Sequence, residues 1–354
     1  VRLALDAMGG DFAPAAPAEG AVLFAREHPD VHVLLVGEEA RLAPLLPRAP
    51  LPNLSVRHAS EVVGMDEHAG ASVRRKRDSS LRVCLDLVKS GEAQGAVSAG
   101  HSGAVMAGAL LVLGRVPGVE RPAIATLLPA LQGGRCLLLD AGANVECHPS
   151  HLAQFAVLGE AYVRRVLGVP RPRVALLANG EEPSKGTPLT RTAASLLRQS
   201  PLDFRGYVEG KDLFSGLVDV VVTDGFTGNL VLKTAEGTAH AVAGLLRGAV
   251  QKSGLPEKLG ALLLKPTLAG LRRVVDYAEV GGAPLLGVGG VAVVAHGRSN
   301  PKAVKNALGA ALAAVRGGLT EDMTQGMVRA ASWLPARARG SGRGKGATGE
   351  GLSE

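Results

Sequence analysis

A doubly wound α/β fold on a mostly parallel sheet is what this sequence predicts, and three observations carry that prediction. Short aliphatic runs alternate with longer amphipathic segments over most of the 354 residues, the pattern of repeated βα units. Nearly every aliphatic run ends on Gly or a small polar residue, as strands do where they turn towards a helix. Aromatics make up only 3% of a chain that is 46% hydrophobic, so Val, Leu and Ala must fill the core, as in strands buried on both faces.

Taken in order, the strands are expected at 1–6 (VRLALD), 31–37 (VHVLLVG), 54–58 (LSVRH), 95–100 (GAVSAG), 123–129 (AIATLLP), 135–142 (RCLLLDAG), 173–180 (RVALLANG), 218–225 (VDVVVTDG) and 291–297 (VAVVAHG). Helical periodicity fills 13–27, 78–90, 149–167, 187–198 and 300–315, and further helices open near Ser102 and at Asn229. The final stretch, PARARGSGRGKGATGEGLSE, is rich in Gly, Ser and Arg without apolar periodicity. Residues 1–333 are therefore expected to fold as one unit and 334–354 to form a disordered basic tail.

Composition narrows the function classes. Only 20% of residues are charged, which excludes a wholly disordered chain. The net charge of +7 favours an acidic partner without choosing among phosphate, an acidic protein, anionic lipid and nucleic acid. Cys84, Cys136 and Cys147 show no metal-ligand spacing and read as thiols in a reducing cytoplasm. No export signal is visible, and no apolar stretch reaches the roughly 20 residues of a spanning helix. GxGxxG after the first strand, GxxxxGK[ST], GxSxG and HExxH are all missing, so a dinucleotide dehydrogenase and a Ser-His-Asp hydrolase lose ground.

Ligands of doubly wound sheets bind at the carboxyl ends of strands, so the Gly-rich strand ends are the places to look for chemistry. In VDVVVTDGFTGNLVLKT a strand ends at Asp224, and Gly225, Thr227 and Gly228 lead into a helix whose first N–H groups suit an anion. Asn229 either caps that helix or donates to an oxyanion. In LLANGEEPSKG, Lys185 is a phosphate-binding charge or an electrophile, or else a solvated loop lysine. In SAGHSGAVMAG, Ser98, Gly100, Ser102 and Gly103 let backbone approach a ligand, while His101 is a general base or, more in keeping with its lack of an acidic partner, a binding or structural residue. DAGANVECHP offers Asn144 beside Asp140 in the same style.

Arg74, Arg75, Lys76 and Arg77 precede a helix start at Asp78-Ser79-Ser80, where they suit an acidic protein face or a phosphate, or form a solvated loop. In the opening LDAMGGDFAP, Gly9 and Gly10 bring backbone to the cleft, while Asp6 and Asp11 orient loop amides or basic groups. Gly9→Val is accordingly expected to damage substrate binding more than stability.

Together LDAMGGDFAP, RRKRDSSLRV, VSAGHSGAVMAG, LDAGANVECHP, LLANGEEPSKG, VVVTDGFTGNLVLKT, DYAEVGGAPLLGV and AHGRSN stand in the order found in the bacterial phosphate acyltransferase family, PlsX, which this chain resembles over residues 1 to about 333. The resemblance implies a Rossmann-like three-layer α/β/α sandwich, similar to isocitrate and isopropylmalate dehydrogenases and phosphate acetyltransferases, with 1–333 as the catalytic domain. It implies transfer of a fatty acyl group from acyl carrier protein to inorganic phosphate, feeding glycerol-3-phosphate acylation and phospholipid synthesis, with Lys185 and Asn229 as the catalytic pair. It also implies a homodimer, no cofactor or metal, no nucleic acid, and a cytoplasmic protein that touches the inner membrane face and a glycerol-3-phosphate acyltransferase. Phe12, and the pair His101-Ser102, depart from the usual His and Asn-Thr, so neither position is expected to ligate phosphate directly.

In the expected reaction a phosphate oxygen attacks the thioester directly; an acyl-enzyme on Ser184, Ser79 or a cysteine is the alternative route. Competing functions are a short-chain phosphate acyltransferase using acyl-coenzyme A and a nonenzymatic membrane scaffold. In 255–275, Leu259, Leu262 and Leu263 belong to an apolar tip flanked by cations, which suits a membrane interface or a dimer core.

Overall fold

The aliphatic runs become neighbours in a single sheet. The structure, a computed structural model, describes residues 1–131, 133–254, 256–257, 259–264 and 281–334. Its strands are β1 (Arg2–Asp6), β2 (His32–Gly37), β3 (Leu54–His58), β4 (Gly95–Ser98), β5 (Ala123–Pro129), β6 (Arg135–Leu139), β7 (Arg173–Leu177), β8 (Asp203–Val208), β9 (Val220–Val222), β10 (Ala283–Leu286) and β11 (Val291–Val294). They lie in the order β3-β2-β1-β4-β11-β10-β5-β6-β9-β7-β8. Helices α1 (Ala15–Glu27), α2 (Glu39–Leu42), α3 (Ala69–Arg75), α4 (Ser80–Lys89), α5 (Ser102–Val112), α6 (Pro149–Val166), α7 (Pro188–Leu197), α8 (Gly225–Lys252), α9 (Pro301–Arg316) and α10 (Leu319–Ala330) alternate with or follow them.

All nine expected strands are present. β8 and β10 were not expected: DFRGYV mixes charge and Gly at a sheet edge, and APLL is four residues with a Pro inside a longer apolar run. α3 replaces the expected loop under the cation run, and Asp224, not Asn229, caps α8.

Most pairings are parallel, but β11–β10, β10–β5 and β5–β6 are antiparallel in succession. The strands β6, β9, β7 and β8 therefore run opposite to β1–β4 and β11, and their carboxyl ends emerge at the other edge.

Alternation of side chains along the strands sorts the core by face. On one face a continuous apolar cluster runs through both halves, from Leu3, Leu5 and Val97 to Leu137, Val174 and Val220, beneath α1, α6, α7, α9 and α10. The other face carries two separate clusters. One lies under α3, α4 and α5, with Ala96, Ala292 and Leu285; the other holds Leu138, Ala175 and Val221, against which Val231 and Leu232 of α8 pack. Between them Ile124 and Thr126 of β5 remain half-buried, Ile124 at the margin of the first cluster.

The long helix α8 leaves the body after its first turns. Of its 28 residues only Gly225 and Gly228 are buried, and Phe226, Leu230, Val242, Leu245 and Leu246 are exposed. Among the described residues, no helix is long and apolar enough to cross a membrane.

Candidate active site

Two sets of strand ends gather the expected residues, one in each half. At the first, parallel neighbours β1, β4 and β11 end together. Asp6 is buried there; its carboxylate accepts from Ser98 Oγ (2.6 Å) and the Met8 amide (3.1 Å), and Ser98 Oγ accepts from the Gly100 amide (3.1 Å). Burial pushes the Asp6 carboxyl above its usual range, against the pull of these donors.

These bonds revise three assignments: Ser98 and the Gly100 N–H are committed within the protein, and Gly9 is a packing residue. A Cβ on Gly9 would lie 2.6 Å from Asp6 Oδ2 and 2.7 Å from the Gly100 nitrogen, so Gly9→Val breaks the fold before it touches a substrate. Gly10 has φ +102°, which a side chain would strain, and Asp11 ties the turn to the β11 end through its N–H to Gly297 O (2.8 Å).

His101 is the N-cap of α5, its Nδ1 accepting from the Ala104 amide (3.2 Å), which places it as a structural cap. Ser102 is exposed and Gly103 half-buried at the first turn of that helix. Nearby, Arg74, Arg75 and Arg77 are exposed, but Lys76 Nζ donates to Val62 O (2.6 Å) and is ion-paired with Glu67. Lys76 therefore leaves the free basic face, and the exposed Arg75 also reaches Glu67 at 3.8 Å.

At the second set, β6, β9 and β7 end side by side. Asp140 collects a ring of donors: Oδ1 accepts from the amides of Ile124, Gly142 and Ala143, and Oδ2 from the amide (2.7 Å) and Nδ2 (2.8 Å) of Asn144. Burial raises its pKa, and the donors oppose that shift. Asn144 Nδ2 also donates to Pro122 O (2.7 Å), and Asn144 O accepts from the Gly225 amide (2.7 Å). Asp224 accepts from the Thr227 amide and hydroxyl, both at 2.8 Å. The expected phosphate cradle at the start of α8 is thus largely committed: the Asn144 amide donors, the Gly225 N–H and both Thr227 donors already have partners, and the Asp224 carboxylate sits among them. Gly228 packs so closely that a Cβ would collide with Asp140 O.

What this framework holds outward is Asn229. Its side chain stands across from Gly142, where an added Cβ would meet Asn229 Cβ at 3.5 Å, and it is exposed. One strand over, the loop after β7 carries Lys185, also exposed. Neither Lys185 Nζ nor the Asn229 amide has a hydrogen-bond or ion-pair partner among the described residues. The Lys185 loop is held by two residues that sequence reasoning missed. Asn179 Oδ1 accepts from the Gly186 amide (2.9 Å), and Arg191 Nη1 donates to Gly186 O (2.6 Å), at a residue with φ +84°.

Cysteine chemistry is disfavoured by burial. Cys136 and Cys147 are pushed up to about 12, and Cys84 well above its usual value. Ser79 is buried and donates to Lys76 O (2.8 Å). Among the described residues no cluster of His, Cys, Asp and Glu could hold a metal. Leu259, Leu262 and Leu263 are exposed, whereas Leu255, Lys258, Lys265, Leu268, Leu271, Arg272 and Arg273 of the apolar tip lie outside the described residues, as do Gln132 and the tail from 335 onwards.

A family model described as "Fatty acid synthesis protein" matches residues 1–322. The phosphate acyltransferase of Myxococcus xanthus (strain DK1622) is 68% identical over 357 residues, 100% of each chain. That of Anaeromyxobacter sp. (strain Fw109-5) is 53% identical, covering 95% of this chain and 93% of its own. Among solved structures, a phosphotransacetylase from Streptococcus pyogenes aligns with a TM-score of 0.59 at 17% identity, over 91% of this chain and 94% of its own, which shows a shared fold. With sequence relatives matched from end to end and the motifs standing at the carboxyl ends of strands, the chain belongs to the phosphate acyltransferase family.

Proposed function

We propose that this protein transfers a fatty acyl group from acyl carrier protein to inorganic phosphate, supplying acyl phosphate to phospholipid synthesis. The observation that carries the reading is the pair Lys185 and Asn229: two unpaired polar groups beyond the ends of the adjacent parallel strands β7 and β9. A phosphate oxygen attacks the thioester carbonyl, and Lys185 offsets the charge of the approaching dianion. Asn229 donates to the oxyanion. As the tetrahedral species collapses, the C–S bond breaks and the carrier's thiol leaves as thiolate, giving acyl phosphate.

Gly10, Ser102 and Gly103 stand at the strand ends of the other half, where His101 caps α5. Arg74, Arg75 and Arg77 present cations to an acidic carrier protein. The exposed apolar face of α8, with Leu259, Leu262 and Leu263 beyond it, is covered by a second copy or by a lipid surface at the membrane's cytoplasmic face, where a glycerol-3-phosphate acyltransferase would consume the product.

The test is hydroxamate capture of acyl phosphate from acyl carrier protein thioester plus phosphate. Capture from the carrier thioester supports the reading. Capture only from short-chain coenzyme A thioesters replaces it, and no capture from either donor overturns it. If Arg74→Glu and Arg77→Glu raise the carrier protein KM and leave that for phosphate unchanged, the cations serve the carrier. The reverse pattern places them on phosphate.

A further inference from the structure

On the sheet face opposite α3, α4 and α5, residues of both halves border a cavity of about 330 Å³. Helices α1 and α9 pack over the first half and α6 over the second, and the cavity lies among the three, beside the start of β6. Its apolar walls include Phe24 of α1, Leu127 of β5, Val166 of α6 and Ala310 of α9. Gly309 of α9 also lines it, and a Cβ there would meet nothing within 4 Å. At about 30 Å³ per water, the volume equals that of about eleven waters, near the lower end for small-molecule sites. No residue named at either set of strand ends lines it. Strand β6 leads from Arg135 at the cavity to the Asp140 ring, about 16 Å away along the chain.

The polar groups of this lining are unevenly spent. Tyr162 is 2% exposed, yet its hydroxyl has no hydrogen-bond partner and is not sealed from solvent, so it opens into the cavity that Tyr162 lines. A buried phenol normally finds a partner. Burial pushes the Tyr162 hydroxyl up to about 12, with the Arg135 guanidinium pulling the other way, so it stays a donor at neutral pH. Arg135 is exposed and has no ion-pair partner among the described residues. The second cation, Lys305, is held by Glu27 at 2.9 Å. Those two charges cancel, which leaves Arg135 as the uncompensated cation beside a free hydroxyl and an apolar wall.

We propose that this cavity is a second binding site, separate from the acyl-transfer centre, for a small organic carboxylate with an apolar body. The carboxylate accepts from Arg135 and from the Tyr162 hydroxyl, and the body replaces water against Phe24, Leu127 and Ala310. One uncompensated cation matches one negative charge. A phosphate monoester dianion would bring a second charge towards Glu27 with nothing to offset it. The ligand touches α1 and α9 on one side and α6 and β6 on the other, so its binding braces the two halves and stabilises the fold by mass action.

Octanoate is the probe, titrated by calorimetry into the full chain. Saturable binding with a Kd of about 1 mM or tighter is expected, and octyl phosphate should bind about tenfold more weakly. Arg135→Gln should weaken octanoate binding by about tenfold and Tyr162→Phe by about threefold, while Gly309→Phe, which fills the cavity, should abolish it. Lys185→Ala should leave it unchanged. Absence of saturable binding to wild type overturns the proposal, as does unchanged affinity in Arg135→Gln and Gly309→Phe. Loss of binding in Lys185→Ala also overturns it, because octanoate would then occupy the acyl-transfer site. Octyl phosphate binding as tightly as octanoate overturns the choice of a carboxylate. If Gly309→Phe loses its native circular dichroism, Arg135→Gln, changed at an exposed position, decides. A wild type that binds no octanoate, together with a shift in sedimentation caused by Gly309→Phe, assigns the cavity to a second copy of the chain.

Discussion

Asn229 and Lys185 show how much of a site one residue type can announce and how much it cannot. The sequence left Asn229 between helix cap and oxyanion donor; the structure gives the cap to Asp224, so the Asn229 amide stays free. Lys185→Ala and Asn229→Ala should each lower turnover, the latter by about 10²–10³-fold, with thermal midpoints close to wild type because both side chains are exposed. Full acyl phosphate production by both variants would refute their assignment. Asn179→Ala should lower kcat by up to about a hundredfold by releasing the Lys185 loop, and Asn179→Asp, which keeps the acceptor for Gly186, should recover most of it. Gly228→Ala should behave differently: its Cβ would collide with Asp140 O, so a loss of stability of about 3 kcal/mol or more is expected in denaturant unfolding. Asn179 and Arg191 were illegible beforehand because their partners are backbone groups of Gly186, which carry no sequence signature.

Among the elements, α3 is the one whose sequence misleads. Four consecutive cations read as a loop or docking face, yet the chain coils through Ala69–Arg75 because Lys76 is drawn back to Glu67 and Val62. The Lys76 ammonium, followed by Ser72 and the Gly64 amide, holds the Glu67 carboxyl at about 2, down from 4.5. A depressed carboxylate stabilises the fold above its unfolded pKa and loses that contribution as pH falls. The melting midpoint of wild type should therefore drop more between pH 4.5 and 2 than that of Glu67→Gln; equal slopes would contradict this account. A second tie, between α6 and α10, is the buried Asp322, which accepts from Arg164 (2.5 Å) and Arg165 (3.0 Å). Asp322→Ala should cost about 2–3 kcal/mol in denaturant unfolding, less than a fully buried pair because Arg165 is half exposed. The missed strands β8 and β10 failed the test of apolar alternation for opposite reasons: one lies at an edge, where charge is tolerated, and the other is too short to show a period.

On the scale of the molecule, the apolar cluster under α1, α6 and α9 runs through both halves, so they should unfold as one cooperative unit. A calorimetric scan should show one transition, and two resolved transitions would mean that the halves are independent domains. Local pattern was enough to read the aliphatic strands, their order along the chain, the helix starts at Ser80 and Ser102, and the family, since each rests on neighbours a few residues apart. Pairing polarity, by contrast, depends on residues far apart in the chain: Ala283 lies beside Val294, Leu286 beside Ala123 and Leu139 beside Ala125. Those three antiparallel steps divide the glycine-rich strand ends between two edges. Packing also decided which candidate side chains were committed to the framework and which remained free, because a donor's availability depends on every group that reaches it in space.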